Sequence, residues 1–386
     1  NEKAKTLKQG AIRAMFDRAN TMTGVISLGI GEPDMPTPKL VCEACKEALD
    51  KGITHYTPNA GTLSFRQAIA EKSYLKDLHY DPNTEIIITN GGMGALSLLF
   101  LILLNKGDEI LIQDPQWLNY VAQVAYCDGT AVRVPTDLKH NFEMQPETIE
   151  KLITPHTKAL MINTPNNPTG VVYSAETLSR LADILTEKSK VFGHNIFLVS
   201  DEPYRDIAFD GKKVPYPAAF YPHTLTCFSF SKSLSLPGER LGYVAVRPGC
   251  EGEDVLGDMM AQISRFTGHN CPPSIIQKAT AECLDVTSDL SVYETNMNLL
   301  YDKLTELGFE VERPGGTFYI FPKALEEDAN AFCLKAREFD LLLVPSDTFG
   351  VKGYVRFAYC IDTEKVKRSL PALEKLAAAY KTSQSR

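Results

Sequence analysis

The chain has 386 residues, of which 44% are hydrophobic and 23% charged, and a formal net charge of −8. That length exceeds one simple core and points to two domains in an ordinary globular protein. The acidic balance supplies no basic stripe for a phosphate backbone, which argues against a nucleic-acid partner.

The first stretch, Asn1 to Asn20, is charged and helical in pattern, unlike a secretory signal peptide. Leu40–Leu49 also reads as a helix. It carries Cys42 and Cys45, a CxxC with no second Cys/His pair nearby, so incidental thiols in a reduced compartment are expected rather than a zinc site. From about 85 to 250, short apolar runs alternate with helical stretches. Ile86–Thr89 is followed by a glycine-rich turn and a helix around Ala95–Leu104, the longest nearly apolar run. That run is about half of the ~20 residues a membrane span needs, so no membrane partner and a cytoplasmic location are expected. Glu109–Ile112, Ala131–Val134 and Ala159–Ile162 are further strand candidates, and Ser174 is placed to cap a helix over Ala175–Leu185. Ile196–Val199, Leu225–Phe230 and Tyr243–Val246 complete the series. Apolar strands separated by helices predict an α/β fold with a mainly parallel, doubly wound sheet. Beyond about 280 the pattern changes to a long helix, then Phe309–Arg313, Thr317–Phe321, Leu341–Val344 and Tyr354–Tyr359 as strands of a smaller α+β domain with a C-terminal helix. The expected division is a large domain over 45–280 and a small one formed by 1–44 and 281–386.

Ligands in open α/β sheets bind beyond the carboxyl ends of the strands, so the residues there matter most. After Ile86–Thr89 comes Asn90-Gly91-Gly92-Met93-Gly94, whose amides at a helix start suit a phosphate, although a plain turn has the same look. It is not a P-loop. After Ala159–Ile162 comes the rigid loop Asn163-Thr164-Pro165-Asn166-Asn167-Pro168-Thr169-Gly170. After Ile196–Val199 comes Ser200-Asp201-Glu202-Pro203-Tyr204, where a buried acid needs a cationic partner unless it merely caps a helix. After Leu225–Phe230 comes Ser231-Lys232-Ser233. A lysine desolvated at a strand end becomes a nucleophilic amine, whereas most lysines are solvated surface groups.

Together these motifs resemble the fold-type I pyridoxal 5′-phosphate (PLP) enzymes, and specifically the class I/II aminotransferases. The string Ser229-Phe230-Ser231-Lys232-Ser233-Leu234-Ser235-Leu236-Pro237-Gly238-Glu239-Arg240-Leu241-Gly242-Tyr243 is similar to that family's lysine-attachment signature. Asn167-Pro168-Thr169-Gly170 and Asp201-x-x-Tyr204 precede it in the family's order, and the likeness runs from about Ser27 to Cys360. The resemblance implies that Lys232 holds PLP as a Schiff base and shuttles a proton. It implies that Asp201 pairs with the pyridine nitrogen and that Asn167 and Tyr204 bond the ring's phenolic oxygen. Ser229, Arg240 and the backbone of Gly92 and Met93 are implied to hold the phosphate, and Trp117 to stack on the ring. Arg356 is implied to clamp the substrate α-carboxylate, with Gly31 in the segment that closes over it. Tyr56 matches a tyrosine that reaches the phosphate of a neighbouring subunit, which implies a homodimer with shared active sites.

The expected function is ping-pong transamination between an L-amino acid and a 2-oxo acid. Met93 stands where a dicarboxylate-using branch of the family has lysine, which favours a broad or apolar donor range unless another base such as Arg265 substitutes. A PLP-dependent carbon–sulfur β-lyase would share these residues. A PLP-binding regulatory module would need a DNA-binding domain, for which the acidic chain leaves no room.

Overall fold

The structure is a computed structural model and describes residues 24–384. The helical pattern over Asn1–Asn20 lies outside them. Among the described residues twelve strands are formed: β1 (Ile26–Ser27), β2 (Ile86–Thr89), β3 (Glu109–Asp114), β4 (Thr130–Pro135), β5 (Thr157–Asn163), β6 (Phe197–Asp201), β7 (Thr224–Ser229), β8 (Gly242–Val246), β9 (Tyr319–Ile320), β10 (Leu341–Leu342), β11 (Val344–Pro345) and β12 (Val355–Ala358).

Seven of them make one sheet in the order β2-β8-β7-β6-β5-β3-β4. The ladders from β7 to β4 are parallel, while β8 runs antiparallel to both β7 and β2. The α/β, mainly parallel, doubly wound sheet expected from the sequence is therefore present. Alternate residues of its strands enter different apolar clusters. Ile110, Ile112, Met161 and Val199 join a cluster with Leu96, Leu99 and Phe100 of the helix Gly91–Leu103 and Met260 of the helix Glu253–Phe266. Leu111, Leu160, Ile162 and Leu198 join another with Leu178, Leu181 and Leu185 of the helix Ala175–Phe192. Apolar residues on both faces explain why these strands read as continuous hydrophobic runs. Trimming one of them, as in Leu111→Ala, costs about 2–5 kcal/mol. Ser174 does cap the helix Ala175–Phe192, accepting from Thr177 N, and Gly193 ends it at φ 73°.

The remaining strands are short. β11, β12 and β9 form an antiparallel three-stranded sheet, and β1 pairs in parallel with β10. All but β11, whose Val344 joins Phe142 and Phe349 in another, share an apolar cluster with Leu300 of the helix Ser291–Leu307, Phe332 of the helix Ala329–Arg337 and Leu373 of the helix Thr363–Gln384. Ile26 and Leu28 belong to this cluster, so the N-terminal segment packs with the C-terminal part. Helix Lys39–Asp50 instead sends Val41 to the cluster of Phe65 and Ile276.

Two strand expectations fail here. Phe309–Arg313 is not a strand: Glu310 accepts one backbone bond from Lys323, and no ladder forms. Its apolar–polar alternation reflects one-sided burial of Phe309 without a neighbouring strand. Leu341–Val344 splits between β10 and β11, which belong to different sheets.

Among the described residues, no helix is long and apolar enough to cross a membrane. Nor is any group of three or more His, Cys, Asp or Glu side chains placed to hold a metal ion, including around Cys42 and Cys45.

Candidate active site

The carboxyl ends of β5, β6 and β7 and the turn after β2 open onto one cavity of about 280 Å³. It is lined by Gly31, Gly92, Met93, Trp117, Asn167, Asp201, Tyr204, Ser229, Lys232, Arg240 and Arg356. All the site residues expected from the sequence meet there except Tyr56, whose side chain is 90% exposed. The wall also includes Tyr120, Pro203, Ser231 and Tyr319, which the motifs did not single out. Arg265, the base considered as a substitute at the Met93 position, does not line it.

Strand β7 ends in Ser229, whose hydroxyl caps the short helix Phe230–Ser233 and donates to Ser231 Oγ at 2.9 Å. That turn brings Lys232 into the cavity. Its Nζ donates to Gly31 O at 2.7 Å and stands 5.5 Å from the Phe318 ring centroid. Desolvation, aided by the nearby Arg356 cation, lowers its ammonium pKa to about 8 against a partial opposing pull from Cys360. About a tenth of the amine is thus free base at pH 7, far more than for an ordinary lysine.

Asp201, the last residue of β6, is 4% exposed. Burial raises its carboxyl pKa to about 7, against the lowering effect of Tyr120, whose hydroxyl donates to Oδ2 at 2.5 Å. A buried carboxylate with one hydroxyl donor, at the wall of a cavity, calls for a cation.

Arg356, on β12, is 2% exposed. Nη1 donates to Asn167 Oδ1 at 3.0 Å and Nη2 to Gly29 O at 2.7 Å, while Nε has no hydrogen-bond partner. Its guanidinium packs against Tyr319 and Phe349, 4.3 and 4.9 Å from their ring centroids. No carboxylate among the described residues pairs with it, so a buried cation awaits an anion. Asn167 is set in turn by Asn163, whose Oδ1 accepts from Asn167 N at 2.7 Å and whose Nδ2 donates to Asp201 O at 2.9 Å. Carboxylate-seeking and cation-seeking ends of the cavity are thereby tied through one asparagine pair.

The turn after β2 is built for close approach. Gly91 has φ 72°, and a Cβ there would stand 2.8 Å from Arg240 Nη2. Gly91 and Gly92 open the helix Gly91–Leu103, and the guanidinium of Arg240, itself held by Pro237 O, lies beside its first turn. Helix-start amides, an arginine and the Ser229 hydroxyl form an anion cradle. Trp117 stands edge-on to Tyr120, with centroids 5.4 Å apart.

These observations fit PLP group by group: an anion cradle for its phosphate, a carboxylate for its pyridinium nitrogen, an amine for its aldehyde, and a free arginine for a substrate carboxylate. A seven-stranded α/β sheet with this cavity at its strand ends is the architecture of a fold-type I PLP enzyme. The chain belongs to the class I and II aminotransferases, whose family model matches residues 23–373. It is 36% identical to the aromatic-amino-acid aminotransferase 2 of Thermococcus litoralis, over 97% of each chain. It is 35% identical to the aspartate aminotransferase of Pyrococcus abyssi, over 95% of each. Among solved structures it is similar to an amino transferase from Eubacterium rectale (TM-score 0.92, 39% identity, 98% of each chain covered). It also resembles the aspartate aminotransferase of Thermus thermophilus with maleate (TM-score 0.88, 32% identity, 97% of this chain and 99% of that one). The protein is a PLP-dependent transaminase.

Tyr120 and Tyr319 escaped the sequence reading because their partners are distant. Tyr120 bonds a residue 81 positions away and Tyr319 one 115 positions away. The only local signal was position: Tyr120 falls three places after Trp117, and Tyr319 lies inside the strand candidate Thr317–Phe321.

Proposed function

We propose that the enzyme transaminates broad or apolar L-amino acids, with the following division of labour among its residues. The observation that carries this reading is Arg356: a buried guanidinium with an unpartnered Nε at the wall of a cavity whose lining also includes the apolar or aromatic side chains of Met93, Leu96, Trp117, Pro203 and Tyr319. One carboxylate is thereby provided for, while Met93 gives a second carboxylate nothing to pair with.

PLP, when bound, supplies an electron sink that makes the Cα hydrogen of an amino acid acidic. Asp201 keeps that sink strong by holding a positive charge at its pyridine nitrogen, with Tyr120 fixing the carboxylate. Asn167 spends Oδ1 on Arg356, which leaves its amide nitrogen to donate to the ring's phenolic oxygen beside the Tyr204 hydroxyl. Gly92, Met93, Ser229 and Arg240 bind the phosphate, and Trp117 covers the ring. Arg356 orients the substrate through its carboxylate, with the segment around Gly31 lying over it. Lys232 Nζ then takes the Cα proton, for which its lowered basicity suits it. Two half-reactions share the site, the first taking the amino group from an L-amino acid and the second giving it to a 2-oxo acid.

The same proposal includes a homodimer in which exposed Tyr56 reaches the partner's phosphate site, and a cytoplasmic location. It includes a large unit over 45–280 and a small one from 1–44 and 281–386.

The test is a spectrophotometric screen of single half-reactions, following loss of the cofactor's visible band with each amino acid in turn. Faster reaction with leucine, methionine or phenylalanine than with aspartate and glutamate is expected. The reverse order overturns the donor assignment. Release of ammonia and a 2-oxo acid without an acceptor overturns the transamination.

A further inference from the structure

Tyr319 has no role in the division of labour above, yet it touches three of its members. It enters from β9, paired with Ala358 of β12, and is 2% exposed. Its hydroxyl lies 3.3 Å from that of Tyr204. Its ring covers the Arg356 guanidinium, with 4.3 Å from Cζ to the centroid. A Cβ on Gly31 would stand 1.9 Å from its oxygen, so the chain passes directly over this hydroxyl. The carbonyl of Gly31 is the one that accepts from Lys232 Nζ.

We propose that Tyr319 is a positioning residue that couples carboxylate capture at Arg356 to the hydrogen bonding of Tyr204 and to the seating of Gly31 over Lys232. The inference rests on the roles proposed above for Arg356 and Tyr204.

A guanidinium binds a carboxylate in its own plane, along its edges. A ring packed on its face fixes that plane and leaves the edges open, and the Phe349 ring adds a second aromatic contact at 4.9 Å. The two tyrosine hydroxyls share one hydrogen bond, in which either can donate, and burial keeps both phenols protonated. When Tyr319 donates, the Tyr204 hydroxyl is free to point at the cofactor's ring oxygen and becomes a stronger donor. Glycine at 31 is then required by Tyr319 itself, because any side chain there would displace either the phenol or the segment that holds the lysine. A tilt of the guanidinium on binding substrate is thus passed through one rigid ring to both the ring-oxygen donor and the lysine's carbonyl acceptor.

The test uses the dimeric or monomeric holoenzyme as isolated, with Tyr319→Phe and Tyr319→Leu beside Tyr204→Phe and Arg356→Lys. The readouts are the pH midpoint of the cofactor's visible band, KM and kcat for phenylalanine, and inhibition by the unreactive analogue 3-phenylpropionate. Tyr319→Phe keeps the ring, so KM should stay within about threefold, while the midpoint rises by about 0.3–1 unit as one hydrogen bond is lost. Tyr319→Leu should raise KM and the inhibition constant about tenfold, with a smaller fall in kcat. The proposal is overturned if the midpoint and KM stay in place in these variants and only thermal stability or cofactor occupancy falls. Should Tyr319→Leu fail to accumulate, an unmoved midpoint in Tyr319→Phe overturns it alone. If Tyr204→Phe and Arg356→Lys are equally silent, the site reading fails instead. If they respond and Tyr319 does not, only this inference falls.

Discussion

Tyr120 donates its hydroxyl to Oδ2 of Asp201 across 2.5 Å, and both side chains are buried. The bond is the carboxylate's one side-chain partner among the described residues, and burial outweighs it, raising the pKa from 3.8 to about 7. In the cofactor-free protein this acid is held at a cost that a cation at the pyridine position would offset.

That cost has a pH signature. The unfolded chain releases the Asp201 proton near 3.8 and the folded chain near 7. Between those values the folded state binds the extra proton, so this group's contribution to stability falls as pH rises through the window and is level above it. About three pKa units correspond to a loss on the order of 4 kcal/mol at most. Asp201→Asn removes the slope. Urea unfolding of the cofactor-free proteins should show the variant gaining on the wild type between pH 5 and pH 8. An unchanged difference across that range would contradict the raised carboxyl.

Lys232 is predicted to capture the cofactor in a pH-dependent way. Its ammonium pKa is lowered to about 8, chiefly by desolvation, and only the neutral amine attacks an aldehyde. The rate at which cofactor-free protein acquires the visible band on mixing with PLP should rise about tenfold per pH unit below 8 and flatten above it. Lys232→Ala should still bind PLP but without covalent attachment, and its turnover should fall by about 10²–10⁴ or more. Stopped-flow absorbance reads the first effect and a half-reaction assay the second. A pH-independent capture rate, or an active Ala variant, would count against the assignment.

The large sheet was legible because most of its strands are buried on both faces and appear as discrete apolar runs, the partly exposed edge strand β4 with its Arg133 being the exception. Chemistry at their ends was legible for a related reason: Asp201 and Lys232 are charged residues where the pattern demands burial, and such residues need a partner. What did not show was pairing across the chain. β8 looks like its neighbours in sequence yet runs antiparallel to both. Tyr319 and Tyr120 look like core aromatics until Arg356 and Asp201 are placed beside them. The Phe309–Arg313 segment alternates like a strand, but alternation reports one-sided burial and not the presence of a partner strand.

Arg356 should control affinity more than turnover. Its two terminal nitrogens are fixed by Asn167 and Gly29, and Nε is free of protein partners. Arg356→Lys leaves a point charge without the planar fork that packs against the Tyr319 and Phe349 rings. Loss of one or two charge-assisted hydrogen bonds, about 1.5–3 kcal/mol each, predicts a fall in kcat/KM of about 10²-fold or more, mostly through KM. Initial-rate kinetics with an apolar donor measure this. A variant with normal KM would show that the carboxylate is bound elsewhere.

Met93 is the position at which donor preference should be adjustable. It stands on the helix Gly91–Leu103 at the cavity wall, is 36% exposed, and its sulfur is within 3.9 Å of Asn119 Nδ2 and Gln123 Nε2. These amides give a new ammonium group a polar but uncharged setting, and no carboxylate is among these contacts to neutralise it. Met93→Lys therefore introduces an available cation without breaking an apolar core contact. For aspartate it supplies an ion pair at the cavity mouth, about 0.2–1 kcal/mol if fully solvated and more where water is excluded. For phenylalanine or leucine it supplies only a charge to desolvate. The ratio of kcat/KM for aspartate to that for phenylalanine should rise about 3- to 30-fold, with loss on the apolar donor contributing part of the change. Single half-reactions with both donors, at low and high salt, measure it, and the gain for aspartate should shrink as salt screens the pair. A variant whose ratio does not move would place the distal end of the substrate away from this helix.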